Sequence, residues 1–360
     1  MTAAPRRHEF KTDGAVVGVH GALRLPAVDI DSYNLELKDD AGFIGDRVSK
    51  KAFYALIDKW RKPLRKSGAD PFGKRESEKL GKKQLDTLLA ESDPLGAGFV
   101  HSVVEEFAQG LASVVRHFLK DKSWQDTECI FVGGGMSSRQ MGALAIGRAE
   151  LLLKAADIAV PLTPIHHDPD DAGLIGALHL APPWVFEGQD AILAVDIGGT
   201  NIRTGVVKLN AKKASDFSRA AAVWKRSIWR HRTDRPKRDE AVDQLANMLK
   251  GLIAAAGKAN LKLAPFIGVG CPGKIASDGS IDRGAQNLPG NWESSRFNLP
   301  QRLSEAIPQI GEHETQVLMH NDAVVQGLSQ VPFAGEFHHW AALTMGTGLG
   351  NVRFTSRSKT

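Results

Sequence analysis

Cysteine is nearly absent from this sequence: of 360 residues only Cys129 and Cys271 carry a thiol, each inside an apolar stretch. Two cysteines so placed exclude a disulfide framework and a four-cysteine zinc centre, and a reducing, cytoplasmic setting is expected. Long apolar runs are missing too. Those present, such as Leu151–Leu153 and Ala191–Val195, fall far short of the roughly 20 residues that span a bilayer, so no membrane partner is expected. No charged-then-apolar leader follows Met1, which predicts a soluble, unexported chain.

With 42% hydrophobic and 24% charged residues, the chain has material for one large core or two, and its length favours two lobes. A formal charge of +5 raises the question of nucleic acid. The basic clusters at Lys59 to Lys83 and Lys225 to Lys237 are broken by acids, prolines and apolar positions, the pattern of solvated helix faces and loops. No specific nucleic-acid partner follows from it. An acidic small substrate, a nucleotide or a polyphosphate, would use the positive potential equally well.

Strand and helix signals alternate, which predicts α/β layers. Between Phe99 and Leu119, apolar residues including Val100, Val103, Phe107, Leu111, Val114 and Phe118 recur at three- and four-residue steps, the spacing of a long amphipathic helix. After a polar turn, Cys129–Val132 reads as a buried strand running into Gly133, Gly134 and Gly135, the ligand-facing end of a sheet. Asp168–Leu180 reads as an acidic first turn and then a helix with small residues on one face. Pro182 and Pro183 stop it, and residues 184–190 connect to the next strand. His166 and His167, in the loop before that helix, are taken as solvent-facing rather than as metal ligands.

The densest signal lies past the middle of the chain. An apolar strand ending in Asp196 enters the turn Gly198, Gly199, Thr200, Asn201, and a second strand follows at Thr204–Val207, which together read as a β-hairpin. A Walker loop needs Gly-Lys-Ser or Gly-Lys-Thr after its glycines, which this chain lacks, and adjacent glycines without a following helix argue against a dinucleotide fingerprint. Phosphate would be held by backbone amides and the Thr200 hydroxyl. Further on, Phe266–Val269 leads into Gly270-Cys271-Pro272-Gly273, and Gln286–Trp292 forms a polar loop containing Asn287. Gln316–His320 is an apolar strand that ends in Asn321-Asp322 and passes into a helix over Val324–Gln330. Loops of this kind carry hydroxyl contacts when they converge on a cleft. Trp340–Met345, the turn Gly346-Thr347-Gly348 and the strand after it make a second hairpin. Trp292 and Trp340 are assigned to the packed interior.

Taken together, Asp196–Thr200 with Arg203, Gly270–Gly273, Asn287–Gly290, Asn321–Ala323, Gly346–Gly350, Gly133–Gly135 and Gly173–Ala177 resemble the motifs of the ROK family of sugar kinases and related repressors, within the actin and hexokinase superfamily. The resemblance covers roughly residues 85 to 354. In ordinary family members the triple-glycine and Gly-Leu-Ile-Gly-Ala blocks follow the Gly-Thr-Gly turn; here they precede the first hairpin. The fold class this implies is α/β, a two-lobed actin-like ATPase (ribonuclease H-like) fold in circularly permuted order. Residues 1–181 would be the C-terminal half of such a kinase, on the adenosine side of the large lobe, and 182–190 a connector between old end and old start. Residues 191–312 would be the small lobe with the first phosphate hairpin, and 313–360 the start of the large lobe with the catalytic Asp and the second phosphate hairpin. Residues near Ala15 to Val28 must then resume the interrupted sheet.

The resemblance implies ATP-dependent phosphorylation of a hexose. Asp322 would take the proton from the attacking hydroxyl, and Asn321, Asn287 and Gly273 would contact the sugar. Gly198, Gly199, Thr200 and Asn201, with Gly346, Thr347 and Gly348, would clamp phosphates, and Asp196 would hold Mg²⁺ through water. Gly133, Gly134 and Gly135, with the Gly173–Gly176 helix, would face the adenosine. A helix N-cap is the competing role for Asp322, and a plain turn that for Asp196 and the glycines. The Glu-x-Gly-His sugar segment and the cysteine-rich zinc loop usual in the family are missing, so no zinc is expected. Replacement sugar contacts are sought in Asp29–Glu36 or at Asp46 and Arg47. Residues 1–50 read as polar loop and strand rather than a helix-turn-helix, which speaks against DNA binding. The partners implied are a sugar and a nucleotide, with polyphosphate as an alternative donor and a homodimer as an admissible assembly. The altered sugar segment keeps a second class open, a sugar- or nucleotide-binding sensor on the same fold without turnover.

Overall fold

The computed structural model describes residues 10–12, 15–90, 93–210 and 217–357; expectations about the first nine residues, the missing leader among them, lie outside the described residues. Two five-stranded sheets are built, in chain order, from β1 (Val28–Tyr33), β2 (Cys129–Gly133), β3 (Leu162–Pro164), β4 (Ala191–Ile197), β5 (Ile202–Lys208), β6 (Ala222–Trp229), β7 (Leu263–Cys271), β8 (Gln316–Asn321), β9 (His339–Met345) and β10 (Leu349–Ser356). Their helices are α1 (Lys50–Ser67), α2 (Lys82–Ala90), α3 (Pro94–Lys120), α4 (Arg139–Lys154), α5 (Pro169–Gly176), α6 (Arg238–Lys258), α7 (Leu299–Ala306) and α8 (Asp322–Leu328). The chain divides into two compact units, one of residues 1–34, 170–338 and 354–360, the other of 35–169 and 339–353.

In the first unit the sheet order is β6-β5-β4-β7-β8. The strands β4 and β5 form the hairpin read from the sequence, antiparallel with Asp196 opposite Arg203, and β7 runs parallel to β4 on one side and to β8 on the other. Every residue of β4 is buried, as expected of a strand covered on both faces, which reads as a continuous apolar run. Helix α6 covers one face by burying Ala241, Leu245, Leu249 and Leu252 at helical spacing, and these join Leu193, Val195 and Ile267 in one core. Trp292 and Trp340 are buried, as expected of them.

In the second unit α3 dominates. It starts at Pro94, earlier than the periodicity placed it, because the Asp93 carboxylate accepts from the Leu95 and Gly96 amides and a proline occupies the first turn, a pairing of cap and pre-set backbone that starts a helix cleanly. Its apolar face packs with residues of α1, α2, α4, β2 and β9 into one core. The basic run from Lys59 is not wholly a solvated face: Arg61 is fully buried, its guanidinium on Asp70 at 2.9 Å and on Ser77 Oγ at 2.8 Å.

The second sheet has the order β1-β10-β9-β2-β3, with β9 parallel to β2 and β2 parallel to β3. Beside β10, Ala27 O accepts from Arg357 N (3.0 Å), Asp31 from Thr355 Oγ1 (2.9 Å) and Asn351 Oδ1 from Leu35 N (2.9 Å). Numbers rise in one strand as they fall in the other, so β1 and β10 are antiparallel. The strand that enters the sheet is Val28–Tyr33 rather than the preceding stretch, where Ala15–Gly18 pairs with Phe10–Thr12 and Gly21 turns the chain at φ 57°. Among the described residues, no helix is long and apolar enough to cross a membrane.

Candidate active site

Three parallel strands of the first unit end together. Asp196, on β4, lies opposite Gly270 of β7, and the next residue, Cys271, lies opposite Asn321 of β8. The carboxyl ends of parallel strands are where α/β sheets place ligands. A Cβ on Gly270 would come within 3.4 Å of the Asp322 Cα, so the residue between the two acids must stay small. Asp322 opens α8, but the N-cap is Asn321, whose Oδ1 accepts from the Ala323 and Val324 amides while its Nδ2 donates to Gly273 O at 2.9 Å. The capping role weighed for Asp322 is thus filled by its neighbour.

The two acids press on each other electrically. Burial, and then the charge of Asp196, push the Asp322 carboxyl from its ordinary 3.8 up to about 7. Burial also raises Asp196, against the pull of the Arg203 guanidinium. Arg203 donates to Asp196 Oδ2 at 3.1 Å and to Asp170 Oδ1 at 2.8 Å, so it ties the end of β4 to the first turn of α5. Cys271 sits between both acids, and burial with their charges lifts its thiol far above its usual value, leaving it an inert apolar residue.

The first turn is closed by Gly198 N donating to Asn201 O (2.9 Å) and anchored from outside by His231, whose Nε2 meets Gly198 O at 2.8 Å. Asn201 Oδ1 is buried and has no hydrogen-bond partner among the described residues. Asn287 is exposed on its loop. Gly273, at φ 109°, admits no side chain, since a Cβ would lie 2.6 Å from Arg283 O.

In the second unit the structure brings Gly133–Gly135 and the Gly346–Gly348 turn together. Met136 N donates to Met345 O at 3.1 Å, and a Cβ on Gly134 would strike Met345 backbone at 2.5 Å. The turn is closed by Gly346 N to Gly348 O and held by Lys50 N to Gly346 O, both 2.9 Å. In the first unit the glycines of the Gly173–Gly176 helix are closely packed, Gly173 against the Asp196 carboxylate and Gly176 against Val325 O. The solvent-facing reading of His167 is corrected. His166 is exposed, but His167 is half-buried, and desolvation with its neighbour's charge pushes its pKa down to about 4.

Over 161 residues the chain is 29% identical to a glucokinase of Thermotoga maritima, a match covering 44% of this chain and 43% of that protein. The match therefore spans under half the length of that curated protein. The two five-stranded sheets of this chain and their helices make the fold α/β. No protein-family model matches the chain. Among solved structures, the Lmo2764 protein of Listeria monocytogenes, to which N-acetylmannosamine kinase activity is ascribed, matches at 22% identity and TM-score 0.33 over 46% of this chain and 47% of that one. An exopolyphosphatase from Cytophaga hutchinsonii matches at 15% and 0.25 over 46% and 50%.

Sugar kinases work with ATP and Mg²⁺. Among the described residues no group of three or more His, Cys, Asp or Glu forms a metal cluster. This chain offers the carboxylates of Asp196 and Asp322 and the unpartnered Asn201 Oδ1, all hard oxygen atoms. That set fits Mg²⁺, which keeps its waters and takes one or two carboxylates beside substrate phosphates. The Arg203–Asp170 tie and the His231 anchor were not found from sequence, because each joins residues some thirty positions apart that share no motif.

Proposed function

We propose that this protein transfers a phosphoryl group from ATP to a hydroxyl of a hexose. The observation that carries the reading is the meeting of Asp196 and Asp322 at the ends of β4 and β8, beside a turn built of Gly198, Gly199, Thr200 and Asn201. Asp322 acts as general base: it accepts the proton of the attacking hydroxyl, and a carboxyl with a pKa of about 7 is matched to that task near neutral pH. Asn321 positions the base by capping α8 and holds the Gly273 loop in place; Gly273 and Asn287 face the acceptor. Backbone amides of the first turn, and in the second unit those of Gly346, Thr347 and Gly348, take phosphate oxygens, with Gly133, Gly134 and Gly135 on the adenosine side. Asp196 would hold Mg²⁺, which when bound would supply charge neutralisation of the phosphates. Arg203 keeps Asp196 in place.

We infer further that the chain is circularly permuted. In the first sheet the first strand, β4, is central, the second and third lie to one side and the fourth and fifth to the other. The second sheet follows the same placement only when counting starts at β9 and, after β10, resumes at β1. This supports residues 182–190 as the join of old end to old start.

ATP-dependent phosphorylation of a hexose panel tests the function. Wild type is expected to turn over at least one sugar, with kcat/KM rising as pH passes about 7. Asp322→Asn should lower kcat by ~10²–10⁴-fold with little change in KM. Full activity in that variant would refute the assignment of the base, and ATP binding without turnover of any sugar would favour a sensor.

A further inference from the structure

We propose that Asn34 is a sugar-binding residue of the acceptor site, held there by Tyr33, and that it stands in for the missing Glu-x-Gly-His segment; this rests on the hexose kinase reading. The strand β1 ends at Tyr33, whose ring meets His320 edge-on at 5.2 Å, two residues before Asp322. The Tyr33 hydroxyl is hydrogen-bonded to the backbone of Ile275, just past Gly273. Asn34 follows at φ 53°, a left-handed conformation that asparagine tolerates. Its Nδ2 lies 3.2 Å from where a Cβ on Gly284 would stand, and that same point is 3.0 Å from the Gly273 Cα. Gly273 O in turn accepts from Asn321 Nδ2. Within one unit, Asn34 and Gly273 therefore both lie beside Gly284, and Gly273 is joined by a hydrogen bond to Asn321, the neighbour of the base.

The chemistry of these residues points the same way. Asn321 has its Oδ1 taken by α8 and one Nδ2 hydrogen by Gly273, so it offers a sugar one donor and needs an acceptor-bearing neighbour. Among the described residues the Asn34 side chain makes no hydrogen bond, and it is only half-buried. An amide offers donor and acceptor together, the pair that vicinal sugar hydroxyls require. Three other candidates are engaged elsewhere: Asp29 faces Arg24 and Arg357, Asp31 takes Thr355, and Arg47 is bound to Asp39 and Ser113.

Calorimetric titration of the full chain with D-glucose and with N-acetyl-D-mannosamine, and separately with ATP, tests the proposal. Asn34→Gly removes the amide without straining the left-handed backbone, and Asn34→Asp retains one acceptor. Asn34→Gly should weaken the preferred sugar by about tenfold, Asn34→Asp by less, with ATP binding and thermal midpoint unchanged and the kinetic loss in sugar KM rather than kcat. Sugar binding equal to wild type in Asn34→Gly overturns the proposal alone. ATP binding with neither sugar bound by wild type overturns the hexose acceptor together with it, and absence of ATP binding overturns the kinase reading itself.

Discussion

At Asp322 the fold holds a carboxyl where its charge is poorly solvated and faces a second acid. Its pKa is about 7 in the folded chain against 3.8 as an ordinary carboxyl, with burial the larger cause and Asp196 the smaller. The folded state therefore binds the proton more tightly than the unfolded one. Stability from this group is complete below pH 4 and is lost as pH rises through 7, by at most on the order of 4 kcal/mol. Asp322→Asn cannot ionise and escapes that loss. In buffer free of divalent ions, its melting temperature should exceed that of wild type at pH 8 by several degrees, and the gap should close at pH 4. Equal melting temperatures at pH 8 would show that Asp322 is not held in this way. The Arg203 guanidinium works in the opposite direction on Asp196, and it opposes the desolvation that raises that carboxyl.

Helix α5 shows how one short element serves the site through what its residues lack. A Cβ on Gly176 would sit 1.7 Å from Val325 O, a backbone atom of α8 that cannot swing aside, whereas Gly147 on the exposed side of α4 has nothing within 4 Å. The same substitution should then act with opposite sign. Gly176→Ala is expected to destabilise by about 1–3 kcal/mol or more through overpacking, while Gly147→Ala should stabilise by about 0.5–1 kcal/mol. Chemical denaturation reads both, and a stable Gly176→Ala protein would mean that α5 and α8 do not pack so closely. From sequence alone the strands β2, β4, β5, β7, β8, β9 and β10, the two hairpins and α3 were legible, because apolar runs, helical spacing and Gly-rich turns are local signals, whereas β1, β3 and β6 were not. What the glycines of α5 are for was not legible either. Gly173 packs against Asp196, which arrives from β4, and the Asn321 amide is engaged by α8 and Gly273. Those roles depend on which distant segment arrives, and a single sequence carries no signal for that.

Across the whole chain, each compact unit is assembled from segments far apart in sequence, so the connector around Gly188 is a covalent link more than a structural one. Residues 1–34 and 170–188 belong to the first unit, and 35–169 to the second, where they meet 339–353. On the two sides of Gly188, Phe186 stacks edge-on with Phe266 at 5.4 Å, Phe131 with Trp340 at 5.7 Å, and β2 pairs in register with β9 over five residues. A protease site inserted at Gly188, which has a left-handed φ of 72° and open space around it, should be cleavable in the folded protein. After cleavage, the fragments 1–188 and 189–360 should elute together from a size-exclusion column, because separating them exposes both cores and strips β9 of its neighbour β2. Separation should require denaturant, in one transition for both fragments. Fragments that part under native conditions would show that the two halves fold separately, and the circular permutation, which needs the second sheet to be built by strands from both, would lose its physical basis.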